Sequence, residues 1–319
     1  MEDNRSLTPT EVAEILKITK HTVYEMVKRG DIPAYRIGRK MRIDPKDVEL
    51  YRRQGKSFEF ARPAIDQPEF PPTPSLNQFN IALSQDKLVI SGQDIILDIL
   101  ARHLEQHLSP IKIFRYYVGS FEGLSSLYHG KTDMAAVHLL DGDSGKYNLP
   151  YVRHLLPGIP VIIIHLAQRM QGFYVPKGNP KDIKDWLDLK RPDIIMLNRE
   201  AGSGTRVLLD EKLRLLKIDS KAIRGYEREE YSHLVVAGAV ARGEVDVALG
   251  NEKASLQVRG VDFIPLQKES YDLVITKNRM EEAKLQTIIQ ILQSPSFRSE
   301  LLGLGDYDLS NTGQVVADI

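Results

Sequence analysis

The chain has 319 residues, with 43 Lys+Arg against 43 Asp+Glu, so bulk charge does not mark it as a nucleic-acid or membrane-surface protein. Its length predicts two or three domains, and 42% hydrophobic with 27% charged residues is the composition of a soluble globular protein. Cysteine is absent, which excludes disulfides and thiolate metal sites. The polar N-terminus lacks the apolar core of a signal peptide, and the longest apolar run, 159–167, is too short to span a bilayer. A cytoplasmic protein without a membrane partner is expected. Charge is unevenly spread, however: residues 1–56 hold 13 Lys+Arg against 9 Asp+Glu, which points to a nucleic-acid partner for that part.

Thr8-Pro9-Thr10-Glu11 has the spacing of a capping box with proline in the first turn, and Val12, Ile15 and Leu16 form one apolar stripe. Thr19 then caps a second helix over 20–29, which Gly30 closes. Residues 32–43 alternate and turn at Gly38 as a small hairpin would, and Asp44-Pro45 restarts a helix. This order resembles the winged helix-turn-helix of the excisionase and MerR-like families over about 48 residues. The resemblance implies that the second helix enters the major groove of double-stranded DNA and that the wing tracks its backbone. Thr19, Lys20, His21, Thr22 and Tyr24 would then reach base edges and phosphates, and Lys28, Arg36, Arg39, Lys40 and Arg42 phosphates. One such module offers little area, so a homodimer or higher homo-oligomer is expected. Residues 57–80 follow as a proline-rich linker.

From 81 onward, apolar strand-like runs alternate with helical patterns, which predicts an α/β fold with ligands at the carboxyl ends of parallel strands. Strands are expected at 87–91, 111–118, 134–137, 161–166, 172–175, 193–197, 245–249 and 262–264. Helices are expected over 94–107, 121–128, 207–216 and 234–242. The richest turn is Asn198-Arg199-Glu200-Ala201-Gly202-Ser203-Gly204-Thr205-Arg206. Helix-start N–H groups, two hydroxyls and two arginines gather there, which suits an anion. Ser91 and Ser120 fall at equivalent strand-to-helix turns, so three such turns would form a donor-rich cradle.

Ser91-Gly92-Gln93-Asp94, the 198–206 stretch and residues 232–250 resemble the periplasmic-binding-protein-like domain that follows bacterial helix-turn-helix modules and is grouped with molybdate-binding proteins. The resemblance implies a type II, two-lobed α/β domain over 81–319, with lobe one at 81–166 plus 266–319 and lobe two at 175–262. The chain would cross between lobes near 167–176 and return near 265–275. Ligand-binding candidates are Ser91, Gly92, Gln93, Asp94, Gly119, Ser120, His138, Arg199, Ser203, Gly204, Thr205 and Arg206. Molybdate or tungstate as effector is implied by the family grouping alone.

His103 and His107, four apart on one helix, could share a metal but lack a third ligand. His138, Asp141 and Asp143 form either a cleft edge or an acidic loop. Ser203, His233 and Asp246 could be assembled as a triad on paper, without any nucleophile-elbow pattern. Tyr231 and Ser232 stand at the start of a small-residue-rich helix and could touch ligand. No catalytic residue, cofactor or metal is assigned, and an enzyme is not expected. The sequence therefore predicts a DNA-binding transcriptional regulator that senses a small oxyanion and controls its transport or use. The alternatives are the same fold sensing an organic anion such as molybdenum cofactor, or an excisionase-like architectural protein.

Overall fold

The computed structural model describes residues 6–29, 32–37, 40–48, 87–305 and 307–319. The 57–80 linker, Gly30, Gly38 and Arg39 lie outside the described residues, as does the side chain of Arg36. The chain divides into two compact units, Met1–Leu76 and Asn77–Ile319.

In the first unit, α1 (Pro9–Leu16) and α2 (Lys20–Arg29) are followed by a hairpin of β1 (Tyr35–Ile37) and β2 (Lys40–Arg42). The capping box is reciprocal: Glu11 N donates to Thr8 Oγ1 at 3.3 Å and Thr8 N to Glu11 Oε2 at 2.7 Å. Thr22 N donates to Thr19 Oγ1 at 3.2 Å, so Thr19 opens α2 as its spacing implied. Val12, Ala13, Val23, Met26, Ile32, Ile43 and Val48 form a small core, and a bridge from Leu7 to Ile43 ties the N-terminal segment to the end of the hairpin.

The second unit is built on one nine-stranded sheet. In lobe one, β3 (Lys87–Ser91) pairs in parallel with β4 (Lys112–Tyr116) and β5 (Met134–Val137). The helices α3 (Ile96–His107) and α4 (Ser120–Tyr128) follow β3 and β4, and the short α5 (Leu149–Leu155) follows β5. The lobes are joined by β6 (Val161–Pro176) and β10 (Val261–Thr276), each 16 residues long and antiparallel along their length. In lobe two, β9 (Val247–Asn251) pairs with β6, β7 (Met196–Arg199) lies parallel to β9, and β8 (Glu229–Glu230) edges the sheet. Its helices are α6 (Gly204–Leu215), α7 (His233–Ala241) and α8 (Glu252–Ser255). The chain ends with α9 (Glu282–Gln293), α10 (Pro295–Leu304) and β11 (Val315–Asp318), the last paired with β6.

Three expectations change, the first being that the strand expected at 262–264 runs on as the 16-residue β10. The runs at 161–166 and 172–175 are one strand, because the polar Gln168, Arg169 and Gln171 between them stay in the ladder with β10. Gly172 permits this closeness, since a Cβ there would lie 2.1 Å from the Ile264 carbonyl oxygen. The strand placed at 193–197 starts only at Met196. Ile194 N closes a turn onto Arg191 O, and Ile195 N donates to the Asp246 carboxylate, so the ladder begins after them and runs to Arg199.

Candidate functional site: a closed cleft between the lobes

An inner cavity with about 30 Å³ of free space lies where α3, α4, α6 and α7 begin, over the middle of β6 and β10. It adjoins a wider cleft of about 710 Å³ that reaches Tyr117 and Tyr231 at its mouth. Helix starts bring first-turn N–H groups and the positive end of each dipole to the cavity wall.

Ten of the twelve candidate ligand residues line the inner cavity: Gly92, Gln93, Asp94, Gly119, Ser120, His138, Arg199, Ser203, Gly204 and Thr205. Several of their polar groups are already committed. Ser203 Oγ donates to Glu200 O at 2.9 Å and accepts from Arg206 N at 3.2 Å, as an N-cap. Thr205 Oγ1 donates to Gln171 Oε1 at 3.3 Å, and Ser120 Oγ accepts from His138 N at 3.2 Å. Asp94 accepts from Ile96 N and Tyr307 OH, each at 2.9 Å, and from Arg169 Nη1 at 2.6 Å.

Two candidates do not line it. Ser91 sits at the end of β3 with its hydroxyl donating to Met134 O at 3.2 Å, inside the sheet. Arg206 points back along its own helix: Nε donates to Asp210 at 3.1 Å, Nη1 to Glu229 Oε1 at 2.6 Å, and the guanidinium stacks on Tyr226 at 4.3 Å. Two carboxylates and one ring thus turn it away from the cleft.

Sequence reading missed Arg169, Tyr271 and Asn251, which line the cavity, and gave His233 no ligand role. Arg169 is buried, pairs with Asp94 Oδ2 at 2.6 Å and Glu269 Oε1 at 2.5 Å, and stacks on Tyr271 at 3.9 Å. Glu269 also accepts from His138 Nδ1 at 2.7 Å and Gln171 Nε2 at 3.0 Å. Burial pushes its carboxyl up, but Arg169 and then His138 outweigh this and hold it at about 2. Burial, then the nearby Arg199 and Arg169, lower the His233 pKa well below 6.5, so its imidazole is neutral. Burial and Asp94 raise the Tyr271 pKa, which keeps its phenol protonated.

Arg199 is 1% exposed. Its Nε donates to Glu200 Oε2 at 2.8 Å, and its Nη2 to Gln93 Oε1 at 2.8 Å and Glu200 Oε1 at 2.9 Å. Arg199 Nη1, Arg169 Nε, His233 Nδ1 and the Tyr271 hydroxyl are buried without a hydrogen-bond partner among the described residues. All four side chains line the inner cavity. Buried polar groups are normally satisfied, so four such atoms around one space are the signature of a site for a polar ligand.

Other groupings come apart. His103 stacks edge-on against Phe297 and faces Glu300, while His107 Nδ1 bonds the His103 carbonyl of its own helix. Asp141 accepts from Ser144, and Asp143 pairs with Arg214, so neither joins His138 in the cavity. Asp246 is engaged by Lys181 and Ile195 N, which dissolves the Ser203–His233–Asp246 grouping. Among the described residues no three His, Cys, Asp or Glu side chains are grouped to hold a metal, and no helix is long and apolar enough to cross a membrane.

A family model described as "PBP superfamily domain" matches residues 101–293, and one described as "Helix-turn-helix domain" matches residues 6–56. The chain belongs to the PBP superfamily. Its relative YvgK of Bacillus subtilis (strain 168) is 39% identical over 318 residues, covering the whole of both chains. A Clostridium perfringens substrate-binding protein with bound phosphate matches 70% of this chain and 98% of its own at 14% identity, with a TM-score of 0.52. The tungstate ABC transporter from Geobacter sulfurreducens matches 69% of this chain and 99% of its own at 13% identity, also with a TM-score of 0.52. At these identities the two structures speak to the shared fold. The PBP-superfamily unit here thus stands in one chain with a helix-turn-helix domain.

Proposed function

We propose that the chain is a ligand-responsive, DNA-binding transcriptional regulator whose PBP-superfamily unit closes on a small oxyanion, with molybdate and tungstate foremost. In this reading the winged module occupies 1–56, a linker 57–80 and the sensor 81–319. The observation that carries it is the gathering of partnerless buried Arg199, Arg169 and Tyr271 donor atoms with four helix starts around one small cavity. Both arginines are already paired with carboxylates, so selection would rest on size and hydrogen-bond geometry rather than on net charge. The tungstate and phosphate proteins of like fold support an oxyanion as the ligand class. Closure around the anion would alter the placement of paired DNA-binding modules and so the control of genes for its transport or use.

Titration of the purified chain with molybdate, tungstate, sulfate and phosphate, followed by heat release and melting temperature, tests the reading. A rise in melting temperature with one of them is expected. If none binds while an organic anion does, the oxyanion proposal fails. That second reading has its own support in the outer cleft, where Tyr117, Tyr231 and Leu234 offer a surface that a bare anion would not touch.

A further inference from the structure

We infer that Gln93 is a positioning residue, which sets Arg199 for the ligand only while the two lobes are closed. The ligand part of this inference rests on the oxyanion reading, whereas the latch rests on geometry alone. Gln93 follows β3 in lobe one, while Arg199 ends β7 in lobe two and Glu200 follows it. The Gln93 carboxamide meets both at once: Oε1 accepts from Arg199 Nη2 at 2.8 Å and Nε2 donates to Glu200 Oε1 at 3.3 Å. A carboxamide presents an acceptor and a donor side by side, the complement of an Arg–Glu pair. A carboxylate would lack the donor, and a lysine the acceptor.

The remaining partners of Arg199 move with it. Nε also donates to Glu230 O at 3.1 Å and Nη2 to Tyr231 O at 3.1 Å, both in lobe two with Glu200. Among the described residues, Gln93 is the hydrogen-bond partner that comes from the other lobe. With Nε and Nη2 committed, Nη1 is left as the buried, partnerless edge at the cavity. Other bonds also cross between the lobes: Phe121 N to Gly202 O at 3.0 Å, Gly142 N to Glu211 Oε2 at 3.0 Å and Arg214 Nη2 to Asp143 Oδ1 at 2.8 Å. Opening the lobes breaks the Gln93 bonds with the others, and the guanidinium then loses the group that fixes its free edge. An anion on Nη1 therefore binds the closed state better than the open one, which is the differential affinity that a switch requires.

The test uses the full chain with Gln93→Ala and with Gln93→Met, which keeps length and apolar stem but removes the amide. Because the chain has no cysteine, Gln106→Cys in lobe one and Lys221→Cys in lobe two, both exposed, give a unique spin-label pair. Both Gln93 variants are expected to lengthen the label distance without ligand. Molybdate affinity is expected to fall roughly tenfold or more, mainly through faster dissociation. An unchanged label distance overturns the inference; if affinity falls all the same, Gln93 is a direct ligand contact. Longer distances in a protein that binds none of the four oxyanions keep the latch and sink the oxyanion reading.

Discussion

Glu269 and Arg169 face each other across the register of β10 and β6, and their side chains pair at 2.5 Å midway along the two strands that join the lobes. The pair stands under the cavity and ties the two joining strands at the same point. Removing one member leaves a buried charge short of a partner, which costs about 3–5 kcal/mol. Glu269→Gln should therefore lower the urea midpoint followed by fluorescence of Trp186, the single tryptophan, which packs on Phe173 in lobe two. The Glu269 carboxyl is depressed from 4.5 to about 2, so its contribution is full above 4.5 and lost as pH falls through 2. The gap between wild type and Glu269→Gln should accordingly narrow over that acid window. A gap that stays constant would mean the charge is not what matters.

The two arginines that bracket the glycine-rich turn should separate cleanly in binding. Arg199→Ala removes the buried donor at the cavity and should reduce oxyanion affinity by roughly a hundredfold, as loss of charged hydrogen bonds does. Arg206→Ala breaks pairs with Asp210 and Glu229 outside the cavity and should change affinity by less than about threefold while lowering stability by about 1 kcal/mol. Calorimetric titration of both variants with molybdate checks the contrast. Equal losses would put Arg206 back into the ligand site.

His233 gives a pH signature with the opposite origin from Glu269. Its folded pKa lies well below 6.5, so between those values the unfolded chain binds the extra proton. Stability is present above pH 6.5 and lost as pH falls below it, with a slope of up to about 1.4 kcal/mol per pH unit. Melting curves from pH 7.5 to 5 should show a decline that is shallower in His233→Gln. An identical slope in both would assign the acid sensitivity elsewhere.

In the N-terminal module, Lys20, His21, Tyr24 and Lys28 are all exposed on α2, Tyr24 at 42%. The buried Val23 and Met26 fix which side of the helix faces the core. Lys28→Ala should weaken binding to every duplex about equally and reduce the salt dependence of log K by about one ion. A change confined to one base pair of the operator would make Lys28 a base-reading residue instead.

Local signals carried far in this chain, and long-range ones did not. The Thr8–Glu11 capping box and the Thr19 cap follow from spacing alone, because each bonds within three residues. The turns holding Gln93, Ser120 and Gly204 were legible for the same reason. Arg169 was not, since a charge inside an apolar run looks like the end of a strand. It is buried there only because Asp94, 75 residues away, and Glu269 supply the compensating charge. Arg199 and Arg206 look alike in the sequence. Their opposite directions are decided by Gln93 and Glu229, whose positions depend on the folded sheet.

Gly204 offers the sharpest test of how tightly the inner cavity is built. A Cβ at this position would fall 2.5 Å from His138 Nδ1 and 2.6 Å from the His138 carbonyl oxygen. The ring cannot swing aside freely, because Nδ1 is bonded to Glu269 at 2.7 Å. Gly204→Ala should therefore displace the start of α6 from the cavity wall, costing about 1–3 kcal/mol of stability and weakening oxyanion binding. Measured against His138→Ala, which lacks the ring and its bond to Glu269 but keeps the carbonyl, the Gly204→Ala change should recover only part of its cost. Full recovery would show that the ring alone sets the approach of α6, whereas no recovery would place the whole clash on the backbone.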